Sequence, residues 1–496
     1  MSARKLGLLL GSVVVVLLGS TTATAAENPI EIGSRRELFV DRYLIGDLKN
    51  ATLQLHAPQP AGIALTWDQP WEGPHSGCTT ILQDRDVYRM YYRGQRELPS
   101  AAECTCYAES SDGISWAKPI LQLHEMNGSR ENNVILHGPH PASHNFAPFI
   151  DTRPSVPNSE RYKAVCGHTP HGLMAYKSSD GIHWEKLQPE PILTDGAFDT
   201  HNVAFWSGVE DCYVCYIRSW TEGTFGGLRT ISRTTSKDFV NWSAPQTMEF
   251  GDAPREHLYT NQTLPYFRAP HLYIALPMRF FPGRTALTKK TLAALPIDPA
   301  YRKYAKKECS DGVLMTSRGG NRYDRTFLEA FMRPGLDPGN WVSRSISAAH
   351  GIIQTGPAEM SIYYIQHDGQ STSHLARFIL RLDGFASVRA PYAGGELITK
   401  PLLFDGHKLE LNLSTSAAGS VQVEIQDLTG APISGFALED CQPMIGDTIQ
   451  RIVAWGTNHD VSELSGKPVR LRFVMRDADL YSFCFAKPAD GAGDPK

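Results

Sequence analysis

Three acidic residues stand just ahead of runs of β-forming residues: Glu72 in PWEG, Asp199 in FDTHN and Glu256 in REHLYTN. Carboxylates held on either side of a bond between sugars can act as general acid and as base or nucleophile, which makes these three the candidate catalytic groups. Histidines and amides accompany them. His144 and Asn145 lie in ASHN, His201 and Asn202 follow Asp199, His257 and Asn261 follow Glu256, and His350 lies in AAHG. A second set closes other extended runs: Arg93 (YYRG), His168 (CGH), Arg218 (IRSW), Arg279 (PMRF) and His367 (QHDG). Arginines in such places could bind an anionic sugar group bidentately or keep neighbouring carboxylates ionised. Trp71 and Trp220 could stack on sugar rings, although packing between elements is the commoner fate of such rings. Residues this scattered act together only if the fold gathers them.

A repeated turn supplies the gathering device. YAESSDGISW (residues 107–116) is echoed by YKSSDGIHW (176–184), and the pattern S-x-D-x-x-x-W falls on Ser110, Asp112 and Trp116, on Ser178, Asp180 and Trp184, and on Ser236, Asp238 and Trp242. A weaker copy places Ser317, Gly319 and Tyr323, and a fifth keeps only Asp383-Gly384. Ser and Asp can hydrogen-bond the turn backbone, Gly accepts positive φ, and the aromatic ring packs where the next strand leaves. Three extended runs precede each turn and a fourth follows, the pattern of a four-stranded antiparallel blade. Five such units in series predict an all-β chain built on a five-bladed β-propeller. In that geometry the first strand of a blade begins, and the second strand ends, on the same face. The two residue sets above therefore meet at one funnel.

The rest of the chain is read around that ring. ELFVDRYLIGDL and ATLQLHAPQP are expected to add a strand to the last blade and close it, removing two exposed edges. Residues 284–308 carry helical periodicity and are expected to flank the fourth blade. Beyond Pro391 short alternating runs predict a β-sandwich. The expected division is a signal peptide over 1–26, the propeller as catalytic domain over 27–390, the sandwich over 391–487 and a disordered tail over 488–496. Arg4 and Lys5, the run LGLLLGSVVVVLLG and the small residues TTATAA are the marks of a secretory signal cleaved near Ala25 or Ala26, which implies a secreted or periplasmic protein. That run is short for a membrane span, and no later segment replaces it, so no membrane partner is expected after cleavage.

Charge is near balance, with 48 basic and 52 acidic residues, so nothing points to nucleic acid. Cys212 and Cys215 form a C-x-x-C, but within a β-forming run, where buried thiols are the better reading than a redox pair. Cys104 and Cys106 share one strand face without a third ligand nearby, so no metal site is read from the sequence. Asp151 reads as a turn cap, and Glu329, between Arg325 and Arg333, reads equally as an ion pair between blades or as a ligand-binding group.

With its blade-wise S-x-D-G-x-x-W signature, the chain from about residue 40 to about residue 390 resembles the five-bladed propeller glycoside hydrolases, the superfamily of families 32, 43, 62, 68, 117 and 130. The trailing sandwich is similar to the family 32 arrangement. In that superfamily three carboxylates stand at the starts of innermost strands, and Glu72, Asp199 and Glu256 match by position. The resemblance implies Glu256 as general acid, Asp199 or Glu72 as base or nucleophile, and the remaining carboxylate as a tuning group. It implies no required cofactor, although the channel could hold a structural ion, as in some relatives. The motifs W-x-N-D-P-N-G, R-D-P and E-C-P are absent, which argues against fructan chemistry. The expectation is a secreted glycoside hydrolase acting on an extracellular poly- or oligosaccharide, one bearing uronate or sulfate given Arg93, Arg218 and Arg279. The alternatives are a non-catalytic carbohydrate-binding propeller and a sialidase. The contiguous Asp-Gly and the tally of five blades count against the sialidase.

Overall fold

The computed structural model describes residues 28–96, 103–138, 144–223, 225–305 and 307–487. The proposed signal peptide and C-terminal tail lie outside the described residues. The first blade consists of Gly77–Asp84, Val87–Gly94, Cys104–Ser110 and Val134–His137, paired antiparallel in chain order. The second (Ala147–Ile150, Tyr162–His168, Gly172–Ser178, Glu185–Lys186) and the third (Val203–Ser207, Cys212–Trp220, Arg229–Ser236, Gln246–Thr247) repeat the plan. The fifth runs Ser347–Gln354, Glu359–Gln366 and His374–Arg381, with Gln59–Thr66 as its outer strand.

The fourth blade is broken across its middle. Leu264–Tyr266, Ala269–Ala275 and Met315–Ser317 form one three-stranded sheet, and the same three passes continue as His257–Leu258, Met278–Pro282 and Glu308–Gly312 in a second. Pro277 sits at the break, where a proline cannot donate to a ladder. The five inner strands touch in cyclic order, and the first and fifth blades meet through a parallel pairing of His350 with Thr80. The sheet units therefore close a ring, and the fold is a β-propeller.

The marked turns form the outer corners. Asp112 Oδ1 accepts from the amides of Ile114 and Ser115 at 2.7 and 2.8 Å, and Ser110 Oγ accepts from Gly113 N at 2.9 Å. Asp180 and Ser178, and Asp238 and Ser236, make the same bonds. The third copy places Phe239, not Gly, at φ 68°, with its ring sealed against Phe149, Tyr213 and Trp242. There, packing of a buried ring offsets the strain that Gly avoids in the first two copies.

The N-terminal piece departs from expectation. Only Gln59–Thr66 joins the last blade. Glu37–Leu38, Ile45–Lys49 and Thr52–Leu55 pair instead with Arg470–Ala486, Gly395–Thr399 and Ala386–Ala390. Alternation alone could not tell which sheet edge these strands would meet. They complete an eight-stranded C-terminal sheet whose long strands, Lys408–Gln426 and Arg470–Ala486, both bend where Thr415 to Ser420 face Ala478 and Arg476. That irregularity folds one sheet into two layers around a single core, which includes Phe39, Leu44, Leu411, Val423, Phe473 and Phe485.

The insertion is helical in part, over Lys289–Ala294 and Arg302–Ala305, with Thr288 Oγ1 capping Thr291 N at 3.1 Å. It reaches the rim of the ring: Asp298 lies 3.5 Å from His75, and the Tyr301 hydroxyl donates to Asp368. All nine cysteines carry free thiols, and the Cys104 and Cys106 sulfurs lie 3.6 Å apart. Cys212 and Cys215 sit within a strand, buried, as their run of β-formers requires. Among the described residues no helix is long and apolar enough to cross a membrane.

Candidate active site

Some of the inner-strand starts and second-strand ends meet at one mouth. They enclose a cavity of about 310 Å³ lined from every blade, with Arg93 from the first, His144 and His168 from the second, Asp199 from the third, Tyr259 from the fourth, and Arg344 and Asp368 from the fifth. The volume is within the range of small-molecule sites.

Asp199 is the sequence-predicted acid that lies in this funnel. Its side chain is 49% exposed, with Oδ1 3.5 Å from His144 Nε2 and Oδ2 4.0 Å from Arg218 Nη1. Partial burial alone would raise its pKa, but the His144 hydrogen bond and the charges of Arg218, His144 and His168 hold it far below the usual carboxylate range. It is ionised at neutral pH. His144 is bonded on its other nitrogen, Nδ1, to Glu103 Oε2 at 3.0 Å, so Glu103, His144 and Asp199 form a continuous chain. Burial opposes protonation of His144, yet its two carboxylate neighbours raise its pKa. His168 meets the His144 ring edge-to-face at 4.9 Å; burial and the His144 charge lower its pKa.

Guanidinium groups complete the frame of the funnel. Arg93 donates to Asn145 Oδ1 at 2.9 Å and to the His75 carbonyl at 3.1 Å, and Asn145 in turn donates to the Thr200 carbonyl at 2.9 Å. Arg344 donates to Tyr301 and Tyr259 hydroxyls at 2.8 and 3.1 Å and lies 3.7 Å from Asp368. Arg218 stacks over the Tyr259 ring at 4.2 Å and donates to the Tyr259 carbonyl at 2.7 Å. Burial would raise the Tyr259 pKa, but Arg344 and Arg218 bring it below its ordinary value.

Several predicted residues are elsewhere. Glu72 is buried away from the funnel, accepting from Tyr92 Oη at 2.6 Å, Lys118 Nζ at 2.7 Å and Gln69 N at 3.1 Å. Trp71 is buried beside it and donates to Asn133 Oδ1 at 3.1 Å, so its ring offers no sugar platform. Glu256 accepts from Arg279 at 3.1 Å and Arg325 at 2.9 Å and lines a separate shallow depression. Arg279 also grips Asp311 through two bonds of 2.9 and 2.8 Å, turned from the funnel, and His257 accepts from Arg229 N at 3.1 Å. Three acids therefore do not converge. Glu72 stands five residues ahead of Gly77 and Asp199 four ahead of Val203, so distance along the chain does not separate them; Glu72 is turned away by its bonds to Tyr92, Lys118 and Gln69, and Glu256, eight residues ahead of Leu264, by its two arginines.

Asn202 and Asn261 are spent on backbone, donating to Phe198 O at 2.9 Å and Tyr216 O at 3.5 Å. His201 lies deeper on the channel axis, between Thr80 Oγ1 at 3.2 Å and Gln262 Nε2 at 3.1 Å, where burial lowers its pKa to about 3. His350 is beside it, lowered by burial to about 4. Asp151 is not a simple cap: it pairs with buried Lys163 at 2.6 Å and accepts from Tyr213 at 2.5 Å.

Glu103, Tyr259, Arg344 and Asp368 escaped the sequence reading. Glu103 immediately precedes the third strand of its blade, whose Cys104 pairs with Gly94 at the end of the second, so the same rule extended by one strand finds it. His367 at φ 57° turns the chain, and the next residue, Asp368, points to the funnel while His367 bonds Asp337 at 2.9 Å outside it.

The chain matches no family model and no curated protein sequence. Among solved structures it is similar to one described as a glycoside hydrolase, at 14% identity over 66% of this chain and 92% of that one, with a TM-score of 0.44. It is also similar to an N-acetylgalactosamine deacetylase from F. plautii in complex with blood group B trisaccharide, at 13% identity over 69% and 96%, with a TM-score of 0.39. A structure from work on family 130 mannoside phosphorylases and hydrolases aligns at 14% identity over 68% and 94%, with a TM-score of 0.38. Likenesses this distant leave the chemistry to be argued from the site itself.

Proposed function

We propose that this protein is a carbohydrate-active hydrolase that cleaves an extracellular poly- or oligosaccharide at the mouth of the propeller. Asp199 is the ionised group at the reacting centre, and Arg93 and Arg344 receive an anionic substituent such as a uronate or sulfate. The observation that supports this reading is one half-exposed, ionised carboxylate over a cavity to which every blade contributes polar or charged groups. A hydroxyl-rich ligand can satisfy such a lining, and an apolar ligand would strand it without partners. Asp199 supplies a fixed negative charge that can orient an attacking water and stabilise positive charge at the reacting centre, and paired guanidinium donors favour planar, bidentate anions.

The test is release of new ends from a panel of neutral, uronate-bearing and sulfated polysaccharides. Wild type is expected to act on an anionic member, and Asp199→Asn to lose about 100-fold or more in rate per folded molecule. Undiminished turnover by Asp199→Asn would remove Asp199 from the mechanism. Tight binding without cleavage by wild type would make the funnel a recognition site only.

A further inference from the structure

We infer that the funnel holds a first-row divalent transition-metal ion, ligated by His144, His168 and Asp199. This inference deepens the hydrolase reading and rests on it for the ion's purpose, though not for its binding. One donor atom from each of the three residues lies within 4.8 Å of the other two, so a single ion can be reached by small side-chain adjustments. The three come from different places in the fold, His144 ahead of the second blade's inner strand, His168 at the end of its second strand and Asp199 ahead of the third blade's inner strand. They converge through the ring, not through local sequence spacing, which is why the sequence gives no metal-binding signature.

The donor set is informative about the ion. Two imidazoles and one carboxylate suit zinc and its first-row neighbours, whereas calcium and magnesium take oxygen ligands. Three protein ligands leave coordination positions open, and Asp199 faces the cavity, so water or a substrate oxygen can fill them. The surroundings are built as a metal's usually are. Glu103 holds His144 Nδ1 at 3.0 Å, which aims Nε2 at Asp199 and fixes the ring, the arrangement in which a carboxylate orients a ligating histidine. Glu103 and Asp199 together offset the ion's charge close by, against the flanking cations Arg93 and Arg218. His201 also lines the cavity, but it meets His350 edge-to-face at 6.3 Å and is not one of the three convergent donors.

The experiment uses the untagged full-length protein, stripped with chelator and titrated calorimetrically with Zn²⁺, Co²⁺ and Ca²⁺. One equivalent of Zn²⁺ or Co²⁺ is expected to bind and Ca²⁺ to give no heat. Bound Co²⁺ should develop a visible d–d spectrum that reports nitrogen and oxygen ligands. His168→Gln should weaken binding at least 100-fold, and Glu103→Gln about 10- to 100-fold, the usual effect of removing an orienting partner. His183→Ala, on an exposed turn, should change nothing, and melting curves establish that each variant is folded. Absence of Zn²⁺ and Co²⁺ binding, or binding that survives His168→Gln in the folded protein, overturns the site. Polysaccharide cleavage that persists in chelator with no metal bound would leave the hydrolase standing and sink the metal; metal binding as described without cleavage of any polysaccharide would do the reverse.

Discussion

Glu72 is sealed beneath Tyr92 and Lys118, Glu256 is held between two arginines, and Asp199 looks into the funnel with its charge uncovered on one side. The partner set, not the residue type, decides which of them can do chemistry. Glu72→Gln takes one of two carboxylates from Lys118, which keeps Asp68 at 2.8 Å, and gives the buried Tyr92 hydroxyl a neutral acceptor in place of an ionised one, a loss of about 1–3 kcal/mol. That variant should melt at lower denaturant concentration in a urea titration yet turn over substrate normally per folded molecule. Glu256→Gln should leave turnover within about twofold of wild type by the same logic, because its arginines belong to a cluster outside the funnel. A large loss of turnover in either variant would restore a catalytic role to that residue. The sequence made all three acids visible, since each stands ahead of β-forming residues. What it could not supply was the partner set, because Tyr92 and Lys118 reach Glu72, and Arg279 and Arg325 reach Glu256, from elsewhere in the chain.

Blades were legible because their corners are chemically marked. Ser and Asp side chains must take up the turn's amides, and an aromatic ring must close the corner, so the residues repeat even where the strands do not. The fourth blade was harder to read because Pro277 divides it into two sheets and the insertion interrupts its passes. The marked corners also fit neighbouring blades together. Gly181 sits at φ 78°, and a Cβ there would lie 2.6 Å from the Tyr91 hydroxyl of the first blade. Gly181→Ala therefore adds backbone strain of about 1–2 kcal/mol and forces a buried tyrosine aside. Asp180→Ala removes the acceptor of two amides that remain partly open to water, for a loss of about 1 kcal/mol. Denaturant melts should rank Gly181→Ala as the more damaging; the opposite order would mean that the corner is held by its own hydrogen bonds more than by the contact between blades.

At the scale of the whole molecule, strands that precede the propeller, Glu37–Leu38, Ile45–Lys49 and Thr52–Leu55, share one sheet with the strands that follow it, so the propeller is strung between two parts of one C-terminal unit. Alternating residues announced that unit as β, but could not announce that the first strands would cross to it, because pairing partners far apart in sequence leave no local trace. Buried ionic joints fix the two bodies together. Asp383 accepts from Tyr266 at 2.8 Å and Arg268 at 2.9 Å of the fourth blade and from Ser482 at 2.6 Å of the C-terminal sheet. Glu37, in the N-terminal arm, accepts from Arg35 at 2.7 Å and from Arg318 at 2.8 Å, with His271 at 3.1 Å. Burial would raise the Glu37 pKa, but the His271 hydrogen bond and the Arg318 charge bring it from 4.5 down to about 2. A carboxyl that binds its proton less readily when folded stabilises the fold fully above its unfolded pKa, and that contribution disappears as pH falls through the folded value. The difference amounts to about 3 kcal/mol, lost between about pH 4.5 and pH 2. Urea melts at pH 7, 4 and 3 should therefore trace a falling stability, and Glu37→Gln should lower the pH 7 value while flattening the acid limb. A Glu37→Gln protein with an acid limb as steep as wild type would mean that the joint at Arg318 does not carry the pH dependence and that other carboxylates, such as Asp84 between the first two blades, do.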